Sequence, residues 1–253
     1  MKNEILAIDI GNTSTFFAHF SGEKIQKTYR AATSSLRPGT VHLLRKRFAL
    51  KNIQAAIISS VVPHRGRFLQ KEIGGQLKIK TRLLGKDIDV PIKNNYKNPK
   101  QVGVDRLVNA VAAFELVRHE AIVIDFGTAI TFDIVSRKGE YLGGVIAPGI
   151  EISLEALYSK TALLPKIRLA HPRHLIGKDT IESIRVGCAV GMGGLCDRIV
   201  DEIRAKYRLS PTVIATGGYA SFMKRYCRSI ELIKPFLTMR GILLSYKKAI
   251  KNS

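Results

Sequence analysis

The sequence predicts an α/β fold of two similar lobes, residues 1–118 and 119–253, that share a cleft. Three observations carry this reading. Segments with the alternating or continuous apolar character of strands alternate with segments of helical period along the chain. The motif Asp9-Ile-Gly-Asn-Thr13 returns in the second half as Asp125-Phe-Gly-Thr-Ala129, each an acid at a strand end followed by a glycine turn and a hydroxyl residue. No Ser/Pro-rich linker separates the halves. The 253 residues, 45% of them hydrophobic, suffice for one large core or two small ones.

In chain order, strands are expected over 4–10 and 14–20, joined by the turn Gly11-Asn12-Thr13, with a third extended segment over 24–30. Pro38 opens a helix to about 49, and Gln54 to Val61 reads as a buried strand. A helix over 64–75, a short strand over 79–84 and an Asn- and Lys-rich surface loop over 93–101 follow. From Val104, the residues Leu107, Val111 and Phe114, flanked by Ala110 and Val117, recur at helical spacing to about His119. The pattern then restarts with strands over 121–125 and 130–135 about the Gly127-Thr128 turn, and a third strand to about 146. Helices over 149–160 and 179–207, a strand over 212–215, a helix from 218, a short strand over 230–235 and a helix from 238 complete the chain.

Composition narrows the function classes. The longest stretch without a formal charge, Leu209–Met223, has 15 residues and is broken by Pro211, Gly217 and Gly218, short of a bilayer span. The opening apolar run is too short for a signal peptide, so a cytoplasmic protein is expected. Cys188, Cys196 and Cys227 form no CxxC pair and read as buried small hydrophobes in a reducing compartment. The net charge of +21 suggests an anionic partner. The basic residues are spread over the chain, however, and the densest region, Arg65–Arg106, carries 11 Lys and Arg with only two aromatics, Phe68 and Tyr96. Nucleic acid is therefore not the expected partner.

A strand ending in an acid, then Gly-Asn-Thr, suits an anion. Gly11 frees backbone N–H groups to face a phosphate, Asn12 and Thr13 add donors, and Asp9 can hold a hydrated Mg²⁺. Alone, such a motif is also an ordinary hairpin turn. The second copy strengthens the phosphate reading, and Gly143-Gly-Val-Ile-Ala-Pro-Gly149 and Gly217-Gly218 add places where backbone can approach a ligand. Gly191-Met-Gly193-Gly194 reads as close helix packing. Walker, dinucleotide-binding and zinc-protease motifs are absent from the sequence, and the six histidines form no catalytic or metal pattern.

Together these motifs resemble the superfamily of acetate and sugar kinases, actin and the heat-shock chaperones, whose fold is the actin-like ATPase (ribonuclease H-like) type around a central nucleotide cleft. Tyr96-Lys-Asn-Pro99, Gly103-Val-Asp-Arg106, the Asp125–Asp133 run, Gly143–Gly149, Gly177-Lys-Asp-Thr180 and Ala215-Thr-Gly-Gly218 resemble, in the same order, the type III pantothenate kinases. The resemblance runs from Asp9 to about Gly241. It implies phosphorylation of pantothenate by ATP with Mg²⁺, the first step of coenzyme A synthesis. It implies ATP binding by Asp9, Ile10, Gly11, Asn12, Thr13, Ser14, Thr15, Phe16 and Thr128, and pantothenate binding by Tyr96, Gly103, Val104, Asp105, Arg106 and Thr180. Asp105 would be the proton acceptor and Asp125 a ligand of a monovalent cation, K⁺ or NH₄⁺. Phe126 and Ile130 are bulkier than the family pattern at their positions.

Phosphoryl transfer to an alcohol needs a carboxylate to take the hydroxyl proton, and Asp105 suits that role. Arg106 is expected to keep it ionised and to offer a fork to a substrate carboxylate. The competing reading is an acid favoured at a helix N-terminus. A homodimer is also implied, with the Gly-rich apolar segment Val186–Leu195 as its contact. A regulatory or nucleic-acid-associated accessory protein on the same fold is the alternative, motivated by the charge, and the Tyr96–Arg106 segment disfavours a sugar or acetate kinase.

Overall fold

The computed structural model describes residues 4–48 and 50–251, in two compact units. One runs to Glu115 and resumes at Leu237; the other is Leu116–Phe236. The chain therefore does not divide at a single point, because its last helix packs with the first unit.

The first unit holds a five-stranded sheet of β1 (Glu4–Ile10), β2 (Ser14–Ser21), β3 (Lys24–Ala32), β4 (Ala55–Ser60) and β5 (Lys80–Leu83), ordered β3-β2-β1-β4-β5. β1 pairs antiparallel with β2 and parallel with β4. Its alternation is read by two cores. Leu6, Ile8 and Ile10 meet Val41 and Leu44 of α1 (Thr40–Arg47) and Leu69 and Ile73 of α2 (Pro63–Leu77). Ile5 and Ala7 face the other way, toward Val108 of α3 (Val104–Val117) and toward Met239, Ile242 and Leu243 of the last helix, Leu237–Lys251. That helix comes so close at Gly241 that a Cβ there would collide with the Val108 backbone.

The second unit repeats the arrangement with β6 (Ala121–Phe126), β7 (Ala129–Val135), β8 (Tyr141–Pro148), β9 (Thr212–Thr216) and β10 (Leu232–Ile233), ordered β8-β7-β6-β9-β10. β6 again pairs antiparallel with its hairpin partner and parallel with the later strand. α4 (Ile150–Lys160), α5 (Thr180–Val186), α6 (Met192–Tyr207) and α7 (Ala220–Met223) precede the last helix, α8. Ile122, Ile124 and Phe126 pack with Leu154, Ile184, Val200 and Met223 from these four helices.

The expected helix over 179–207 is two helices joined by a π-helical turn, Gly187–Gly191, where side-chain-free glycines at both ends admit the wider winding. The helix expected from 218 shrinks to Ala220–Met223. Downstream, the Arg228 and Ser229 N–H groups turn to the buried Asp197 carboxylate, at 3.2 and 2.9 Å, instead of continuing the ladder. All three cysteines are buried. Cys227 is more than a small hydrophobe, for its thiol donates to Asp197 Oδ1 at 3.3 Å.

Candidate active site

At the C-terminal ends of β1 and β4 the chain gathers the first acidic loop. Asp9 stands opposite Ser59 in the parallel register, and Ser59 Oγ donates to Asp9 Oδ1 at 3.0 Å. The loop closes with Gly11 N–H donating to Ser14 O at 3.0 Å. Asn12 and Thr13 are exposed, and Gly11 and Ser14 are half-buried. The loop is fixed from outside by Thr33, whose hydroxyl donates to Gly11 O at 2.7 Å and whose N–H donates to Thr13 O at 2.9 Å. Ile10 and Thr15 are buried, and the Thr15 hydroxyl lies 3.1 Å from that of Thr33. Phe16 packs against the core on the α8 side of the sheet.

The Gly103–Arg106 segment arrives beside this loop. A Cβ at Gly103 would sit 3.3 Å from Val61 Cγ1, and Val61 N–H donates to Ile10 O at 3.1 Å, so the start of α3 lies one residue from the end of β1. A Cβ at Gly103 would also run into Asp105 Oδ1, so only glycine lets the carboxylate fold back there. Asp105 accepts the Arg106 N–H at 2.8 Å. Burial pushes its carboxyl above the ordinary carboxylate range, although that N–H and the Arg106 charge pull the other way. Arg106 acts in the expected direction, toward the ionised form, and desolvation is the larger influence. The outcome is a stronger base. Arg106 is buried, Val104 is half-buried against Gly85, and Tyr96 is half-buried with its N–H on Asn94 Oδ1 at 3.0 Å.

In the second unit the half-buried Asp125 is the last residue but one of β6, opposite Thr216 of β9. The two-residue turn Gly127-Thr128 is exposed, with Gly127 N–H on Ala129 O at 3.1 Å. Two glycines wall it in. A Cβ at Gly149 would collide with the Thr128 carbonyl, and one at Gly217 with Asp125 Oδ1 and the Phe126 backbone. Gly217 has φ +89°, open to glycine at no cost. Phe126 and Ile130, the bulky departures, are both buried in this unit's core, which accounts for their size. Thr180 is exposed at the first position of α5, behind Asp179, whose side chain accepts the Glu182 N–H at 2.8 Å. Of the motif read as close helix packing, Gly193 packs closely against Tyr226, which lies in a turn, while Gly191 and Gly194 have open space where a Cβ would be.

Three features escape the sequence reading. Ser59 and Thr33 position the first loop, and the only local signal is a hydroxyl interrupting an apolar run. The third is a pocket of about 420 Å³ lined by Glu151, Leu154, Ile167, Leu169 and Tyr219 among others. Tyr219 OH donates to Glu151 Oε1 across it at 2.9 Å. No cluster of three or more metal-ligating side chains occurs among the described residues. No described helix is long and apolar enough to cross a membrane.

Comparison with known proteins gives the fold and the family. A solved Baf family transcriptional activator from Campylobacter jejuni superposes with a TM-score of 0.62 at 22% identity, covering 97% of this chain and 99% of that one. Component A of (R)-2-hydroxyglutaryl-CoA dehydratase from Acidaminococcus fermentans does so at 0.56 and 13%, covering 99% and 98%. At these identities the likeness concerns the fold, the two-lobe α/β architecture of actin-like ATPases. Sequence relatives are nearer. The type III pantothenate kinase of Syntrophus aciditrophicus is 43% identical over 253 residues, 96% of this chain and 99% of that protein, and that of Geobacter sulfurreducens 38% over 251 residues, 96% and 98%. The family model for type III pantothenate kinase matches residues 5–202, and this chain belongs to that family.

Proposed function

We propose that the chain transfers the γ-phosphoryl group of ATP to the primary hydroxyl of pantothenate, giving 4'-phosphopantothenate and ADP at the start of coenzyme A synthesis. The observation that carries the reading is Asp105: a desolvated carboxylate at the start of α3, folded over Gly103, one residue from the loop that follows Asp9. It takes the hydroxyl proton as the oxygen attacks phosphorus, and ADP leaves with the electrons of the broken P–O bond. Asp9 through Phe16, with Thr128, hold the ATP phosphates, and Mg²⁺ enters as part of MgATP. The pocket lined by Glu151 and Tyr219 offers space for the nucleoside.

Pantothenate is held by Tyr96, Gly103, Val104, Asp105, Arg106 and Thr180, with the Arg106 guanidinium suited to the substrate carboxylate. Asp125, next to the Phe126 carbonyl and the bare Gly217, offers the oxygen donors that a hard monovalent cation, K⁺ or NH₄⁺, requires. Such a cation supplies positive charge against the phosphates. The working form is a homodimer joined through Val186–Leu195, whose Val190 and Leu195 are exposed and whose Gly187, Gly191 and Gly194 have open space where a Cβ would be. The buried free thiols fit a cytoplasmic setting. ADP release by the purified chain with and without pantothenate tests the reading: pantothenate-dependent turnover supports it, and release that ignores pantothenate rejects it.

A further inference from the structure

The even spread of basic residues that set nucleic acid aside in the sequence does not hold for net charge once the acids are counted. Between Lys24 and Arg82 lie fourteen Lys and Arg residues and one acid, Glu72, so this stretch holds +13 of the net +21. Its basic residues fall on β3, α1, α2 and β5 and on the connections between elements, none on β4. The two helices form one layer on the first sheet, sharing a core through Val41, Leu44, Leu69 and Ile73, and Arg45 Nη2 donates to the Gln76 carbonyl at 2.8 Å. Outward positions of the layer include five exposed basic side chains. Arg45, Lys46 and Arg47 end α1 exposed, and Arg67 and Lys71 stand exposed four residues apart on α2, where like charges repel.

Ion pairing separates this layer from the rest. Among the described residues, no Lys or Arg from Lys24 to Arg82 makes an ion pair. In the second unit Arg137, Lys166, Arg185, Arg198, Arg204 and Arg228 each meet a carboxylate. A surface that keeps its cations apart from its own acids, at a cost in self-repulsion, is complementary to an external polyanion.

We propose that the outer face of the α1–α2 layer binds the phosphate backbone of duplex nucleic acid without reading its sequence. α2, with 15 residues, is about 22 Å long, the length of roughly six base-pair steps. Phe68 is half-buried in the core beneath, so the face has no platform on which unpaired bases stack. Leu43 is the one large apolar side chain exposed on α1 or α2 among the described residues, too little to anchor a membrane-surface helix. The inference is independent of the kinase reading.

The test is titration of a labelled 20-base-pair duplex with the full chain across salt concentrations, beside the Lys46→Gln, Arg67→Gln, Lys71→Gln triple variant and vesicles of anionic or neutral phospholipid. The expected result is binding indifferent to base sequence and lost by about 0.2 M salt, with the slope of log K against log salt reduced by about 3 in the variant. Pantothenate-dependent ADP release and the thermal midpoint stay at the parent level. Absence of duplex binding at 50 mM salt, a slope unchanged in the variant, or tighter binding to anionic vesicles than to duplex each overturns the proposal.

Discussion

The loop after β1 has three residues and is held by a threonine from another strand's end, whereas the loop after β6 has two and is held between glycines. Both close sheets of the same strand order, and both follow an acid opposite a hydroxyl residue, Asp9 by Ser59 and Asp125 by Thr216. The first loop is positioned by hydrogen bonds to Thr33, each replaceable by water at modest cost. The second is positioned by missing atoms, since any side chain at Gly149 or Gly217 meets backbone. Equal topology therefore does not mean equal tolerance: the second loop should be brittle and the first compliant.

Gly217→Ala is the harshest test of that difference. Positive φ alone costs a non-glycine residue about 1–3 kcal/mol, and the collision with Asp125 and Phe126 adds to it. Urea unfolding should show a large loss of stability together with loss of turnover, and Gly149→Ala should behave alike. Native-like midpoints in both would break the comparison.

A smaller contrast separates the acids. Asp125→Asn should abolish the stimulation by K⁺ or NH₄⁺ over Na⁺. Asp9→Asn, which can still accept from Ser59, should keep that stimulation and raise KM for MgATP about tenfold or more. Rates in the three chloride salts decide, and identical profiles for the two variants would erase the division of labour. Smaller again is Thr33→Val. It removes two contacts of a buried hydroxyl, costs about 1 kcal/mol, and should loosen ATP binding severalfold while leaving kcat nearly unchanged. Smallest is Gly11→Ala, whose Cβ would meet only Ser14 O at 3.2 Å. A stability change under about 1 kcal/mol is expected, and a loss as large as that of Gly217→Ala would show that the first loop is not compliant.

The legible parts of this protein are those written over a few adjacent residues. Acid-ended strands, glycine turns and the Gly103–Arg106 segment each carry their signal locally, and the structure has the expected strands and turns and a helix from Val104 at those places. What sequence reading missed is held by contacts far apart in the chain. Ser59 reaches Asp9 across 50 residues and Thr33 reaches Gly11 across 22, and no periodicity encodes either. The break at Gly187–Gly191 escaped because helical period runs unbroken through it, while α7 gives way after Met223 to turns that lead Arg228 and Ser229 to Asp197, some 30 residues away in the chain. For Asp105, sequence shows the neighbouring Arg106 but not the burial that outweighs it.

Turnover of Asp105→Asn bears most directly on the central claim. Burial raises the Asp105 pKa in the folded chain, so the folded state disfavours the ionised form, and the penalty is present at pH values above the raised pKa and relieved as pH falls through it. Asparagine keeps an oxygen for the Arg106 N–H and removes the desolvated charge. The account therefore predicts a variant whose kcat falls about 10²-fold or more at neutral pH, with a thermal midpoint equal to or above that of the parent. A kcat near the parent's would contradict it and leave Asp105 a helix-terminal acid.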